Sequence, residues 1–181
     1  RLSSAIAGAD RAREAYRPVF MISDFQSDGE DWDHSLQTRL EQALSHDRID
    51  IALQPQFDLK SGTIVAAEAL ARWFDNEQGQ VPPERFIGQC ERVGRLDELT
   101  ERILSKTLDS LEAMRMSGGA PEVSINISAI QLADEGIADL IERQVVPRAI
   151  DPRGVTIELT ETARIENFDV ARRTIDRIKQ L

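Results

Sequence analysis

The chain has 181 residues, 22 of them Lys or Arg against 32 Asp or Glu, and a net charge of −10 at pH 7. That balance excludes a nucleic-acid groove, which needs a basic stripe, and leaves any phosphate-bearing ligand to be drawn in by a metal ion or by placed arginines. An apolar fraction of 41% with 30% charged residues suits a soluble globular domain, or a piece of a larger one.

The single cysteine, Cys90, rules out an intrachain disulfide framework and suits a reducing compartment. No apolar run approaches the roughly 20 residues that cross a bilayer, and no signal peptide opens the sequence, so a cytoplasmic location is expected, with room for a membrane-anchored parent.

Residues 1 to about 25 pair a short helical pattern (Ala5, Ala9, Ala12, Ala15) with a strand-like run, Pro18 to Ile22. The acidic stretch Gln26 to Asp33 reads as a linker. Leu36, Leu40 and Leu44 then predict a helix over about 34–46. Ile49 to Leu59 alternates apolar and polar residues like a strand. Residues 63–74 form a second strand so apolar that it reads as buried on both faces. Helices are expected from Pro82-Pro83-Glu84 and from Asp97 to Met116, the second stopping at Gly118-Gly119. Cys90 falls in the first of these and reads as a packed thiol. A strand at Val123–Ser128, a helix over about 134–149, a strand at Val155–Thr160 and a helix at Phe168–Leu181 complete the alternation. Such a rhythm implies parallel strands covered by helices, in a doubly wound sheet or a (β/α)₈ barrel. A barrel needs about 250 residues, so this length corresponds to part of one.

Three strands carry a polar residue among apolar neighbours: Glu68, Asn126 and Glu158. In a parallel α/β fold these positions approach the carboxyl ends of the strands, where active sites are built. Two carboxylates and an amide oxygen make a hard ligand set that favours Mg²⁺, Mn²⁺ or Ca²⁺ over zinc. Arg72 shares a strand face with Glu68, so the pair reads either as part of a site or as a structural ion pair. His34 and His46 lie outside this array and read as solvated helix-surface residues. Trp73 and Phe74 read as packing residues.

The residues carry a resemblance. Leu53-Gln54-Pro55, Ala67-Glu68-Ala69-Leu70-Ala71-Arg72-Trp73, Pro83-Glu84-Arg85-Phe86-Ile87, Asn126-Ile127-Ser128-Ala129-Ile130-Gln131-Leu132 and Ile157-Glu158-Leu159-Thr160-Glu161-Thr162 follow one another in order and spacing. Over about residues 36–181 this pattern resembles the EAL-domain family, bacterial proteins that hydrolyse cyclic di-GMP. Each motif alone is weak; the series is specific.

The resemblance implies a TIM-like (β/α)₈ barrel of EAL type, first strand antiparallel, of which this chain carries roughly the first half. It places an incomplete EAL domain at 34–181. Residues 1–33 are expected to be the end of a preceding domain or a helical connector, with a faint similarity to the end of a GGDEF domain. Carried over by position, Glu68, Asn126 and Glu158 match metal ligands, Gln54 and Arg72 match contacts to the dinucleotide, and Glu161 matches a residue that positions an active-site loop. The implied reaction is hydrolysis of one phosphodiester bond to linear pGpG with Mg²⁺ or Mn²⁺, two ions in the complete site. The family's Asp-Asp-Phe-Gly-Thr-Gly loop, its lysine and its later glutamate are expected beyond Leu181, and with them the general base. The alternatives are an inactive EAL domain that acts as a cyclic di-GMP receptor or interaction module, and a metal-dependent barrel enzyme with another substrate. A homodimer and a fused sensory or GGDEF domain are the expected partners.

Overall fold

The computed structural model describes residues 29–119, 122–148, 150–160, 165 and 167–181, with side chains from Ser35 onward. The chain divides into two compact units, Arg1–Gln42 and Ala43–Leu181. The described part of the first belongs to helix α1, Gly29–Ser45. This helix begins inside the acidic stretch read as a linker.

The second unit is a mixed sheet with helices on one face. Its strands are β1 (Ile49–Phe57), β2 (Ile64–Asp75), β3 (Gly79–Val81), β4 (Glu122–Ser128) and β5 (Val155–Thr160). The order is β1-β2-β4-β5, with β3 beside the end of β2. β1 and β2 form an antiparallel hairpin, whereas β2, β4 and β5 run parallel. The hairpin turn is built by Asp58, whose carboxylate accepts from the Lys60 and Ser61 amides and the Ser61 hydroxyl. Gly62 supplies the positive φ of 70° that the turn needs.

Helices α2 (Pro83–Arg92) and α3 (Leu96–Met116) connect β3 to β4, and α4 (Gly136–Val145) connects β4 to β5; α5 (Phe168–Ile178) follows β5. Proline in the first turn of α2 and the glycine pair after α3 act as expected. The Gly119 amide closes the end of α3 onto the Met114 carbonyl at 3.0 Å. Asn167 caps α5 by accepting from the Asp169 and Val170 amides. The short β3 and a 3₁₀ turn at Ala129–Ala133 are absent from the periodicity, because three to five residues complete no period.

The core lies between the sheet and its helices. Ala67, Ala69, Ala71 and Trp73 of β2 and Val123, Ile125 and Ile127 of β4 are buried there with Leu99, Leu104 and Leu108 of α3. Trp73 stands edge-on to Phe86 of α2, ring centroids 5.9 Å apart, and Cys90 is buried in the same helix. Trp73 thus packs as expected, but Phe74 is 68% exposed, because alternation turns it to the face without helices. β2 is likewise buried on one face only; Glu68, Leu70 and Arg72 on the other are half-buried. Ile127, Leu159, Ile175 and Ile178 line a cavity of about 650 Å³ beside β5 and α5, on the helix-covered face. Among the described residues, no helix is long and apolar enough to cross a membrane.

Candidate functional site

The even-numbered residues of β2, β4 and β5 share the face that the helices leave open. Strand register sets them in order. Gln54 of β1 lies opposite Glu68 of β2, Glu68 lies beside Ser124 of β4, and Asn126 lies beside Glu158 of β5. The sequence expectation for Glu68, Asn126, Glu158, Gln54 and Arg72 therefore converges on one face of one sheet. Glu161 lies outside the described residues. His46 is exposed in the turn after α1, and the side chain of His34 lies outside the described ones.

The sheet opens at this level. β4 pairs with β2 only from Glu122 to Ile125, against Ala66 to Ala69. Higher up, the same side of β2 is taken by β3, against Trp73 to Asp75. Leu70, Ala71 and Arg72 sit in the gap, and Asn126, Ile127 and Ser128 have left β2 while still pairing with β5. Such a splay makes space between two carboxyl strand ends.

One contact lies at the edge of the opening: Asn126 Nδ2 donates to Glu68 Oε1 at 2.6 Å. A hydrogen bond to a charged acceptor in a half-buried setting contributes about 1.5–3 kcal/mol. It is the sole polar contact of Glu68 among the described residues, and Glu158 has none among them. Arg72 donates through Nη1 to the Ala71 carbonyl at 2.9 Å, in the gap between β3 and β4. The Glu68–Arg72 ion pair, the bland alternative of the sequence, does not form. The remaining guanidinium donors of Arg72 are unengaged among the described residues. Ser124 presents a buried hydroxyl with no partner on the same face.

These features fit a divalent cation. Two carboxylates without a counter-charge and the free Oδ1 of Asn126 form an oxygen-only donor set, and half-buried acids are costly unless something balances them. No cluster of three His, Cys, Asp or Glu side chains occurs among the described residues. Gln131 was singled out for no role by the sequence; its signal was the spacing Ser128-x-x-Gln131, the pattern of a capping box.

The family model described as EAL domain matches residues 37–181. This chain belongs to the EAL domain family. Among its relatives, the cyclic di-GMP phosphodiesterase PdeR of Escherichia coli is 32% identical over 146 residues, covering 81% of this chain and 22% of PdeR. The cyclic di-GMP phosphodiesterase NbdA of Pseudomonas aeruginosa is 28% identical over 147 residues, covering 81% and 19%. The chain thus spans about a fifth of the length of these curated relatives. The PaMucR phosphodiesterase in complex with c-di-GMP superposes with a TM-score of 0.71 at 23% identity, over 81% of this chain and 60% of that one. The Xanthomonas citri FimX EAL domain in complex with c-di-GMP gives 0.71 at 16% identity, over 83% and 58%. These structures share the fold of this EAL chain, which is a mixed α/β sheet.

Proposed function

We propose that this EAL chain supplies the metal-binding and phosphate-binding part of a cyclic di-GMP phosphodiesterase. The observation that carries the reading is the Asn126–Glu68 contact across the splayed strands, with Glu158 on the next rung and the free side of Arg72 above. Glu68, Asn126 and Glu158 would hold Mg²⁺ or Mn²⁺. Such an ion, when bound, supplies Lewis acidity toward a phosphoryl oxygen and activation of water. Arg72 would take a phosphate oxygen pair through its planar fork, which offsets the acidity of the protein around a dianionic ligand. Gln54, exposed beside Glu68, would contact the dinucleotide from the hairpin side.

The same reading takes residues 34–181 as the N-terminal portion of an EAL barrel of (β/α)₈ type and residues 1–33 as a connector or the end of a preceding domain. The base for the attacking water, a homodimer and a fused regulatory domain belong to the proposal as well. The relatives described as phosphodiesterases and the neighbours described as c-di-GMP complexes support it.

The test is incubation of the full-length protein with cyclic di-GMP and Mg²⁺ or Mn²⁺, with linear pGpG followed by chromatography. Formation of pGpG that stops on chelation supports the reading. Tight binding without turnover replaces it by the receptor reading, and neither binding nor turnover removes both. In the same protein, Glu68→Ala is expected to abolish divalent-ion binding by calorimetry while the circular dichroism spectrum is retained.

A further inference from the structure

The part of β4 that carries Asn126 is held less firmly than the rest. From Asn126 to Ser128 the strand has β5 on one side, and on the β2 side the only tie described is the Asn126–Glu68 hydrogen bond itself. The position of the amide therefore depends on what fixes the residues that follow.

Gln131 does so. The chain leaves β4 at Ser128 and enters the 3₁₀ turn Ala129–Ala133, in which Ser128 and Gln131 form a reciprocal capping box. Gln131 is 7% exposed. Its Oε1 accepts from the Ser128 amide at 3.1 Å, and its Nε2 donates to Asp97 Oδ1 at 2.8 Å and Thr100 Oγ1 at 3.0 Å. Asp97 and Thr100 lie in the first turns of α3, a helix that packs across β1, β2 and β4. One side-chain amide thus joins the exit of β4 to the main helix of the fold. A carboxylate in its place would keep the bond to Ser128 and lose the donor that Asp97 requires.

We propose that Gln131 is a positioning residue, which through α3 fixes the end of β4 and thereby the Asn126 amide against Glu68. Its effect on metal binding rests on the function proposed above; its effect on Asn126 does not. Supporting groups around a metal site are worth about 10–100-fold in affinity or activity. Since Gln131 acts through two residues of backbone, the lower end of that range applies.

The experiment compares full-length wild type, Gln131→Glu, and Gln131→Glu with Asp97→Asn, in which the hydrogen bond returns with donor and acceptor exchanged. In Gln131→Glu, the Mn²⁺ dissociation constant is expected to rise about tenfold and kcat to fall similarly, with the KM for cyclic di-GMP changed less than about twofold. The double variant should recover most of both. A variant that loses melting temperature but keeps metal affinity and kcat would reduce Gln131 to a stabilising residue and overturn the proposal. So would a folded double variant without rescue. A second readout separates this inference from the functional one. Solvent exchange of the Asn126 side-chain amide, followed by NMR in metal-free protein, should quicken in Gln131→Glu and slow again in the double variant. Unchanged exchange overturns the proposal even in an active enzyme, and the expected change upholds it even in a protein that hydrolyses nothing.

Discussion

Asn126 and Glu68 touch where their strands begin to part: the amide, one residue past the last pairing of β4 with β2, donates at 2.6 Å to the carboxylate of Glu68, which still pairs with Ser124. A neutral donor can sit there without a cation, whereas a second carboxylate cannot. Asn126→Asp is therefore expected to lower the melting temperature of the metal-free protein by several degrees, about 1–2 kcal/mol, through repulsion between like charges. Millimolar Mg²⁺ should restore more stability to this variant than to wild type. A metal-free melting curve that matches wild type would mean that the two side chains do not meet in solution.

Arg72 has a different signature. Its bond to the Ala71 carbonyl engages one donor, and the others are unengaged among the described residues. Loss of hydrogen bonds to a charged phosphate costs about 1.5–3 kcal/mol, so Arg72→Ala should weaken binding of cyclic di-GMP about 10–150-fold. Arg72→Lys should recover only part, because an ammonium cannot match a phosphate with a planar fork. Isothermal titration with the nucleotide in the presence of Ca²⁺ reads this directly; equal affinities for all three proteins would remove Arg72 from the ligand site.

Glu98 lies at the start of α3, between Arg95 and Arg102. Burial raises the pKa of its carboxyl, but hydrogen bonds from both guanidinium groups outweigh that and hold it below the usual glutamate value. The sign follows: the ionised form is favoured in the folded state, so its stabilisation is present above the unfolded pKa and is lost as pH falls through the folded one. Glu98→Gln should cost about 0.5–1 kcal/mol at pH 7 in urea denaturation, with the difference closing below about pH 4. A constant offset from pH 7 to pH 3 would assign the loss to packing instead.

Burial pushes the Cys90 thiol up to about 12. The folded state keeps the proton that the unfolded chain releases near pH 9, so this group subtracts stability only as pH rises above that value. Iodoacetamide at pH 8 should leave Cys90 unmodified in native protein and alkylate it within minutes in urea, as read by mass spectrometry. Rapid native labelling would show that α2 opens readily.

The order of helices and long strands was legible because each follows a simple pattern: leucines in α3, a nearly continuous apolar run in β2, and alternation of apolar and polar residues in β4. Glycine and proline marked the ends of α3 and the start of α2 for local reasons that need no neighbour. The alternation in β2 also placed Glu68 and Arg72 on one face, which the structure retains. The exposure of that face was not legible, since an alanine-rich strand reads as apolar on either side. Phe74 was misjudged for that reason, and the acidic start of α1 because a short polar turn resembles a linker.

The sequence by itself determined the family, the order of the long elements, and the set of oxygen-bearing side chains. Tertiary structure alone decided which of these meet. Register between strands far apart in the chain puts Asn126 beside Glu158 and diagonally next to Glu68, so that Glu68 bonds the Asn126 amide in place of Arg72. The Gln131 clamp likewise joins residues 34 and 31 positions apart. Periodicity reports only which way a side chain points within its own element. Contacts of this range depend on how elements pack, and packing is a property of the whole chain.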